Sequence, residues 1–212
     1  MVRCFIIILL LGVKMEKIKV YTMQSFSKDY SLFIEKNEGS YMDAMRYKAI
    51  HQQKWKPFNL NTFKSPEFEL CSSDSGKRNY KFDISSSSSP FYVFSEKAKE
   101  ALKDILEPRG QFLPIKTPSK RKQYTGYYPT NPLKGMIDLK QSNINKEDLE
   151  NFGIKEINNI HIKSDAIIDE YIICFSEDSG YVLVTEKFRK RVEEAGLEGF
   201  DFIYSSYEIT LL

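Results

Sequence analysis

One local pattern occurs twice in the sequence: an apolar run typical of a strand, a hydroxyl residue followed by Glu, a stretch with helical periodicity, and a glycine before a second apolar run. The copies are residues 91–115 (FYVFSEKAKEALKDILEPRGQFLPI) and 181–204 (YVLVTEKFRKRVEEAGLEGFDFIY). Their predicted helix N-caps, Ser95 and Thr185, lie 90 positions apart. Two copies are too few for a solenoid. The repetition therefore indicates either a pseudo-repeat inside one α+β domain or the reuse of a common strand–helix–strand pattern.

Each helical stretch carries one apolar stripe, which predicts that a single face of the helix is buried. The stripe residues are Ala98, Ala101, Leu102, Ile105 and Leu106 in the first copy, and Phe188, Val192 and Ala195 in the second. Their spacing of three and four residues is that of one helical face. Pro108 and Gly110 are predicted to end the first helix, and Gly196 and Gly199 the second.

Outside the repeated pattern, the sequence predicts further strands and polar loops. Strands are expected at residues 17–22, 30–34, 66–70 and 171–175. The last of these (YIICF) is apolar throughout, which is typical of a central strand buried on both faces. The segments expected to be exposed loops are residues 71–79, the serine run Ser85–Ser89 with Pro90, and the basic stretch 116–126.

These patterns predict an α+β fold with a mixed or antiparallel sheet and a few short helices. Residues 15–90 are expected to form a strand-rich N-terminal part and residues 91–212 the core. The short apolar run in residues 1–14 resembles the apolar region of a signal peptide but lacks a small-residue cleavage pattern. We interpret these residues as an extension that precedes a translation start at Met15, with a signal or a membrane tether as the alternative.

Composition is that of an ordinary globular protein. The chain has 212 residues, 42% of them hydrophobic and 28% charged, and a formal net charge of +2. This balance gives no support for general nucleic-acid binding, for which a strongly basic chain is expected. Three scattered cysteines fit neither a disulfide framework nor a zinc site, and they favour a reducing compartment such as the cytoplasm.

The small net charge conceals an uneven distribution along the chain. Residues 1–90 hold 14 basic and 9 acidic side chains, and residues 91–140 hold 10 and 5. Residues 141–212 hold 7 basic and 15 acidic side chains. The acidic last third either presents solvated faces of ordinary helices and loops or steers a basic partner toward the protein.

Motifs that carry chemistry are scarce. Neither of the two histidines, His51 and His161, has metal ligands at a suitable spacing, and Cys174 has no base beside it in the sequence. No glycine-rich phosphate loop follows a strand, so no cofactor and no metal ion are predicted. The segment from Asp138 to Lys140 resembles the end of a metal-dependent nuclease motif. The basic run 120–122 has tyrosines nearby, which indicates either a solvated loop or a phosphate contact.

Three stretches are similar to a known family. They are the first repeat copy (91–115), the segment YYPTNPLKGMIDLKQS (127–142) and the second copy (181–203). Together they resemble the immunity protein eleven family of bacterial polymorphic toxin systems, a family first catalogued as a domain of unknown function. The motif positions of the middle segment are Tyr127, Asn131, Pro132, Asp138 and Ser142, which act either as structural turn and cap residues or as the lining of a recognition groove.

The resemblance implies a non-catalytic protein that sits in the cytoplasm and binds the C-terminal domain of a cognate toxin. It implies no nucleic-acid or membrane partner, and it leaves the oligomeric state open. If the toxin domain is basic, the first surface expected to contact it carries Glu193, Glu194, Glu198 and Asp201. The alternatives are a small metal-dependent nuclease or toxin-like enzyme that uses Asp138 and Lys140, and a general protein-interaction module.

Overall fold

The computed structural model describes residues 17–26, 28–36, 39–140, 142–143, 161, 169–204 and 209–210. Within these residues the fold is α+β, with antiparallel strands and short helices, as the sequence predicts. The interpretation of residues 1–14 lies outside the described residues.

The helical elements are short. Helix α1 (Met45–Tyr47) follows a 3-10 turn (Tyr41–Asp43) and continues as a π-helix (Lys48–Gln53). Helix α2 (Glu96–Leu106) leads into a 3-10 turn (Glu107–Arg109), and helix α3 spans Glu186–Glu194. The strands are β1 (Lys17–Ile18), β2 (Val20–Ser25), β3 (Leu32–Glu35), β4 (Phe68–Cys71), β5 (Ile84–Ser85), β6 (Tyr92–Ser95), β7 (Gly110–Leu113), β8 (Tyr124–Pro129), β9 (Ile172–Phe175), β10 (Asp178–Thr185), β11 (Phe200–Tyr204) and β12 (Ile209–Thr210).

Two four-stranded antiparallel sheets share one topology. Sheet 1 has the order β5-β6-β8-β7, and sheet 2 has the order β9-β10-β2-β11. In both, a helix connects the second strand to the fourth, and an antiparallel strand lies between them. That middle strand is β8 in sheet 1, which comes next in the chain. In sheet 2 it is β2, so the N-terminal part of the chain completes the sheet that its C-terminal part begins.

The repeated sequence pattern thus forms two equivalent units, β6–α2–β7 and β10–α3–β11. The two helices contact each other, and the Arg191 guanidinium on α3 binds both Asp104 carboxylate oxygens on α2 at 2.9 Å. The stripe of α2 is buried at Ala98, Leu102, Ile105 and Leu106, and that of α3 at Phe188 and Val192. Between helices and sheets lies an aromatic core in which the Phe33 ring packs edge-on against Phe82 and Tyr124.

The two predicted N-caps differ. The Ser95 hydroxyl accepts a hydrogen bond from the Ala98 amide at 3.1 Å, which confirms it as the cap of α2. Thr185 also occupies the N-cap position of its helix, α3, as the sequence predicts, but its side chain accepts no hydrogen bond from the helix. Its hydroxyl donates to the Glu170 carbonyl at 2.8 Å. The two caps thus share a position and differ in the side-chain bond.

The strand at 171–175 is buried as predicted, but it is not central. All four residues of β9 are at most 4% exposed, yet β9 forms one edge of sheet 2. Its outer side is covered by the main chain of Leu133, which donates to the Cys174 carbonyl at 2.8 Å and accepts from the Ser176 amide at 3.1 Å. An apolar strand can lie at this edge because the Leu133 segment forms hydrogen bonds with its outer backbone groups.

The serine run is not the exposed loop that its composition predicts. Ser85 lies in β5 and is buried, and its hydroxyl both donates to the Phe33 carbonyl at 2.9 Å and accepts from the Phe33 amide at 3.0 Å. Ser86 and Ser25 each accept the other's backbone amide through their hydroxyls. Serine hydroxyls thus form hydrogen bonds with backbone groups of β2 and β3 that would otherwise pair with a neighbouring strand. Within the other predicted loop, residues 71–79, the stretch from Asp74 to Arg78 is continuously exposed, as expected.

Candidate functional site

The four acidic residues expected to contact a partner lie at one end of α3. Glu193 and Glu194 occupy its last turn, Glu198 lies in the turn that follows, and Asp201 is the second residue of β11. The three glutamates are exposed and Asp201 is half-buried. We call these four residues the acidic corner.

The turn that carries the acidic corner is anchored to the core at Asp83. The Asp83 amide donates to the Glu198 carbonyl at 2.7 Å, and the Glu198 amide donates to the Asp83 carboxylate at 2.9 Å. The Lys97 ammonium donates to the Gly196 carbonyl. Gly196 and Gly199 have φ values of +56° and +83°, in the region that glycine adopts most readily. The backbone that carries the carboxylates is thus held by hydrogen bonds with Asp83 and Lys97.

Asp83 is itself an almost fully buried carboxylate. Its side chain is 2% exposed and accepts from the Ser95 hydroxyl at 2.6 Å and the Lys122 ammonium at 2.8 Å, besides the Glu198 amide. Burial alone would raise its pKa, but the hydrogen bonds from Lys122, Ser95 and Glu198 outweigh burial and lower it. Asp83 therefore joins the cap of α2, the basic loop and the acidic corner.

Charge at the acidic corner is only partly compensated within the protein. The Arg189 guanidinium binds Glu193 at 2.8 Å and lies 3.8 Å from Glu186, while its face packs on the Tyr21 ring. Hydrogen bonds from Arg189 to Glu193 and Tyr21 raise the pKa of this guanidinium. Glu193 and Glu194 stand at the helix end where the dipole disfavours negative charge. Glu193 offsets this cost through its ion pair with Arg189, one turn earlier on α3, so Glu194 is the residue whose position is consistent with a role toward an external group.

Three of the five motif positions in the family-like segment, Tyr127, Asp138 and Ser142, make hydrogen bonds within the fold. Tyr127 lies in β8, is fully buried, and its hydroxyl donates to the Leu106 carbonyl at 3.1 Å. Asp138 and Ser142 close a turn in which the Ser142 amide donates to the Asp138 carbonyl at 2.8 Å. The Ser142 hydroxyl accepts from the His161 amide at 2.9 Å. Asn131 is exposed, and Pro132 is half-buried.

The groups considered for chemistry are Asp138, Lys140 and Cys174. Asp138 is half-buried and Lys140 is exposed, and in the part of the chain that the structure describes no three His, Cys, Asp or Glu residues are grouped to hold a metal ion. Burial raises the pKa of the Cys174 thiol, which opposes formation of a nucleophilic thiolate. The nuclease alternative stays a prediction. Among the described residues, no helix is long and apolar enough to cross a membrane.

The basic run is part of the fold. The Lys122 ammonium donates to the Phe82 carbonyl at 2.7 Å and binds Asp83, while Tyr127 and Tyr128 are fully buried in β8. Lys120 and Arg121 remain exposed. Tyr127 and Tyr128 are therefore core residues and present no stacking surface for bases, whereas Tyr124 is half-buried and packs against Phe33 and Phe82.

The sequence analysis missed a second surface, formed by residues 41–64. A cleft of about 450 Å³ opens there between the 3-10 turn, the π-helix and the segment after it. The signal was present in the sequence, since residues 41–64 hold five basic side chains and one acidic side chain. The stretch has no clear helical or strand periodicity, so the sequence alone does not indicate that its basic residues surround a cleft.

Comparison with known proteins finds no matching family model and no matching curated protein.

Proposed function

We propose that the protein is a non-catalytic immunity protein, which binds a cognate bacterial toxin domain in the cytoplasm of the cell that makes it and occludes the toxin's active site or substrate path. The observation that carries the proposal is the acidic corner: exposed carboxylates held on a turn whose backbone is anchored to a buried aspartate. The resemblance of residues 91–115, 127–142 and 181–203 to immunity proteins supplies the class of partner.

A fixed acidic surface suits rapid capture of a basic partner. Negative charge on the corner would attract a positively charged toxin domain over the Debye length, and attraction of this kind raises association rates by about 10–10³-fold. Because Gly196, Gly199 and Asp83 fix the backbone, the loss of conformational entropy on binding is confined largely to the glutamate side chains. Speed and low ordering cost are what a protein needs if it must neutralise a toxin before the toxin acts.

The role of the family-like segments in this proposal is to build the scaffold. Residues 91–115 and 181–203 form the two strand–helix–strand units, and Tyr127 ties β8 to the end of α2. Specificity would then come from side chains on turns between elements, where changes leave the core intact. The acidic corner is such a turn.

Association kinetics test the proposal. The variant Glu194→Lys/Glu198→Lys reverses two exposed charges and leaves the Glu198 backbone bonds in place. With the C-terminal domain of the toxin encoded next to this protein, we expect stopped-flow association at low salt to slow by about 3–10-fold and to become less sensitive to salt.

The matched control is Glu69→Lys/Glu100→Lys, which makes the same change in net charge at exposed positions outside the acidic corner. The control should associate at nearly the wild-type rate. Equal rates for wild type and Glu194→Lys/Glu198→Lys would rule out the acidic corner, and failure of the wild-type protein to bind the toxin domain would overturn the proposed function.

A further inference from the structure

The cleft at residues 41–64 has an apolar floor and a polar rim. Met45 and Phe58 are buried, and with Pro57 and Phe63 they provide the apolar part of the lining. The remaining lining residues are polar or charged: Asp43, Lys48, Gln52, Gln53, Asn59, Thr62 and Lys64. A depression of this size and composition fits a bulky apolar side chain whose flanking backbone is hydrogen-bonded by rim amides.

Basic residues outnumber acidic ones around the cleft. Lys48 and Lys64 line it together with Asp43, and residues 41–64 hold five basic side chains in all. The Glu35 carboxylate, which binds the Met45 amide, interacts with Lys48 and offsets part of this charge. Lys64, Lys54 and Lys56 are exposed, and Lys48 is half-buried. The charge around the cleft is opposite in sign to that of the acidic corner, so the two surfaces attract partner surfaces of opposite charge. The complementary ligand for this cleft carries carboxylates.

Three large apolar side chains are exposed next to residues that line the cleft. Tyr41, Met42 and Leu60 are 65%, 56% and 61% exposed, and they are three of the five large hydrophobic residues that are exposed in the described part of the chain. Met42 directly precedes a lining residue, and Leu60 directly follows one. Tyrosine and methionine are enriched at protein interfaces, and tyrosine buries a large area at low entropic cost.

The backbone around the cleft is held in an unusual conformation. The π-helix ends at Lys54 and Trp55, two consecutive non-glycine residues with φ values of +47° and +68°. Trp55 is fixed by bonds from its amide to the Tyr128 hydroxyl and from its indole to the Phe175 carbonyl, both at 2.7 Å. π-Helical turns and left-handed non-glycine residues are frequent at functional sites. They are energetically unfavourable and persist only where surrounding contacts stabilise them, as the two Trp55 bonds do here.

The floor of the cleft is also clamped. The Gln111 side chain accepts from the Phe58 amide at 2.8 Å and donates to the Phe58 carbonyl at 3.0 Å, as a neighbouring strand would. The Glu35 carboxylate accepts from the Met45 amide at 2.8 Å and so fixes the start of α1. Both apolar floor residues are therefore positioned by the core of the protein before any ligand binds.

From this geometry we infer that the cleft is a docking site for an acidic segment of a partner protein, with one bulky apolar side chain of that segment inserted onto Met45 and Phe58 and its carboxylates placed near Lys48 and Lys64. The inference does not depend on the proposed function, because it concerns a different surface of opposite charge.

Peptide selection tests the inference even before the partner is identified. The full chain is immobilised and used to select from a random peptide library displayed on phage, and a synthetic copy of the most enriched peptide serves as the probe. We expect enriched peptides to carry Asp or Glu on both sides of Leu, Phe or Trp. Enrichment of peptides without acidic residues, or no enrichment at all, would overturn the inference.

Matched variants locate the binding. Lys48→Gln/Lys64→Gln should weaken binding of the probe by roughly tenfold at low salt, whereas Lys120→Gln/Arg121→Gln, which removes the same charge from an exposed loop, should change it by less than about twofold. A second variant, Tyr41→Ser/Leu60→Ser, keeps the rim charges and should also weaken binding. Equal weakening by the cleft and loop variants would show that only overall charge matters and would refute the site. Intrinsic fluorescence of Trp55 verifies that each variant is folded.

Discussion

Replacement of Asp83 by Ala removes the connection between three parts of the fold. The carboxylate is 2% exposed and accepts three hydrogen bonds of 2.6–2.9 Å, from Ser95, Lys122 and Glu198. Breaking a buried charge pair costs about 3–5 kcal/mol. The lower end applies here, because Lys122 is 28% exposed and keeps its bond to the Phe82 carbonyl. We therefore expect a loss of about 3 kcal/mol in the free energy of unfolding, of which the unpaired Glu198 amide is one component.

Urea unfolding followed through the single, buried Trp55 measures this loss. In thermal unfolding, the same loss should lower Tm by about 6–12 °C for a chain of this length. The control is Asp29→Ala, which removes an exposed partner of Lys77 at 2.8 Å and should leave the unfolding midpoint nearly unchanged. A change below about 1 kcal/mol for Asp83→Ala would refute the view that Asp83 holds the acidic corner to the core.

The pH dependence of Asp83 has a defined sign. Burial opposes its ionisation, but the bonds from Lys122, Ser95 and Glu198 prevail and lower its pKa in the folded state. Its stabilising effect is therefore complete above the unfolded pKa of about 4 and is lost as pH falls through the lower folded value. The difference in stability between wild type and Asp83→Asn should be constant from about pH 6 to 8 and should narrow below about pH 4. A difference that widens on acidification would contradict this assignment.

Three further substitutions test other parts of the structure. Ser95→Ala removes both a capping bond and a bond to Asp83, and it should lower the free energy of unfolding in urea by about 2–4 kcal/mol. Thr185→Ala removes no capping bond and should lower it by about 1 kcal/mol. Equal losses would contradict the difference between the two caps. Gly199→Ala should lower the free energy of unfolding by about 2–4 kcal/mol, because φ is +83° and the new Cβ would lie 2.7 Å from Cβ of Phe82. The control Gly76→Ala has a similar φ of +76° but open space around the new Cβ, and it should lower the free energy of unfolding by about 1 kcal/mol. Gln111→Ala should speed amide hydrogen exchange at Phe58 by about tenfold, while Gln123→Ala at an exposed position should not.

Local signals in the sequence predicted the repeated units well. The stripe of α2, its Ser95 cap and the end of α3 at Gly196 depend on neighbours within a few residues, so periodicity and glycine placement were sufficient. The pairing of β2 between β10 and β11 joins residues more than 150 positions apart, and no local pattern specifies it. That pairing decides the shape of sheet 2.

Segments were misjudged where polar side chains act inside the fold. The serine run has the composition of a loop, but its hydroxyls bond the backbone of β2 and β3. The last three residues of the basic stretch 116–126 belong to β8, in which Tyr127 and Tyr128 are buried. Lys122 of the same stretch binds the Asp83 carboxylate. Composition measures average polarity, whereas burial here depends on specific hydrogen-bond partners far away in the sequence.

The candidate surfaces were predictable to different degrees. The acidic corner was visible because Glu193, Glu194, Glu198 and Asp201 are close in sequence, and the structure adds that Asp83 anchors the turn beneath them. The cleft at residues 41–64 was not visible, because its floor depends on Gln111 and its π-helix on Trp55 contacts with β8 and β9. Charge can be read from a sequence, whereas concavity is a property of packing.

Binding to the cognate toxin domain tests the central proposal most directly. Purified protein is titrated by calorimetry with the C-terminal domain of the toxin encoded immediately upstream, and the same pair is co-expressed in cells that the toxin domain alone would kill. We expect a defined complex with a Kd in the nanomolar range and growth of the co-expressing cells. For Glu194→Lys/Glu198→Lys we expect a Kd about 3–10-fold weaker and reduced protection at limiting expression. No heat of binding together with no protection by the wild-type protein would contradict the proposal that this protein neutralises a toxin.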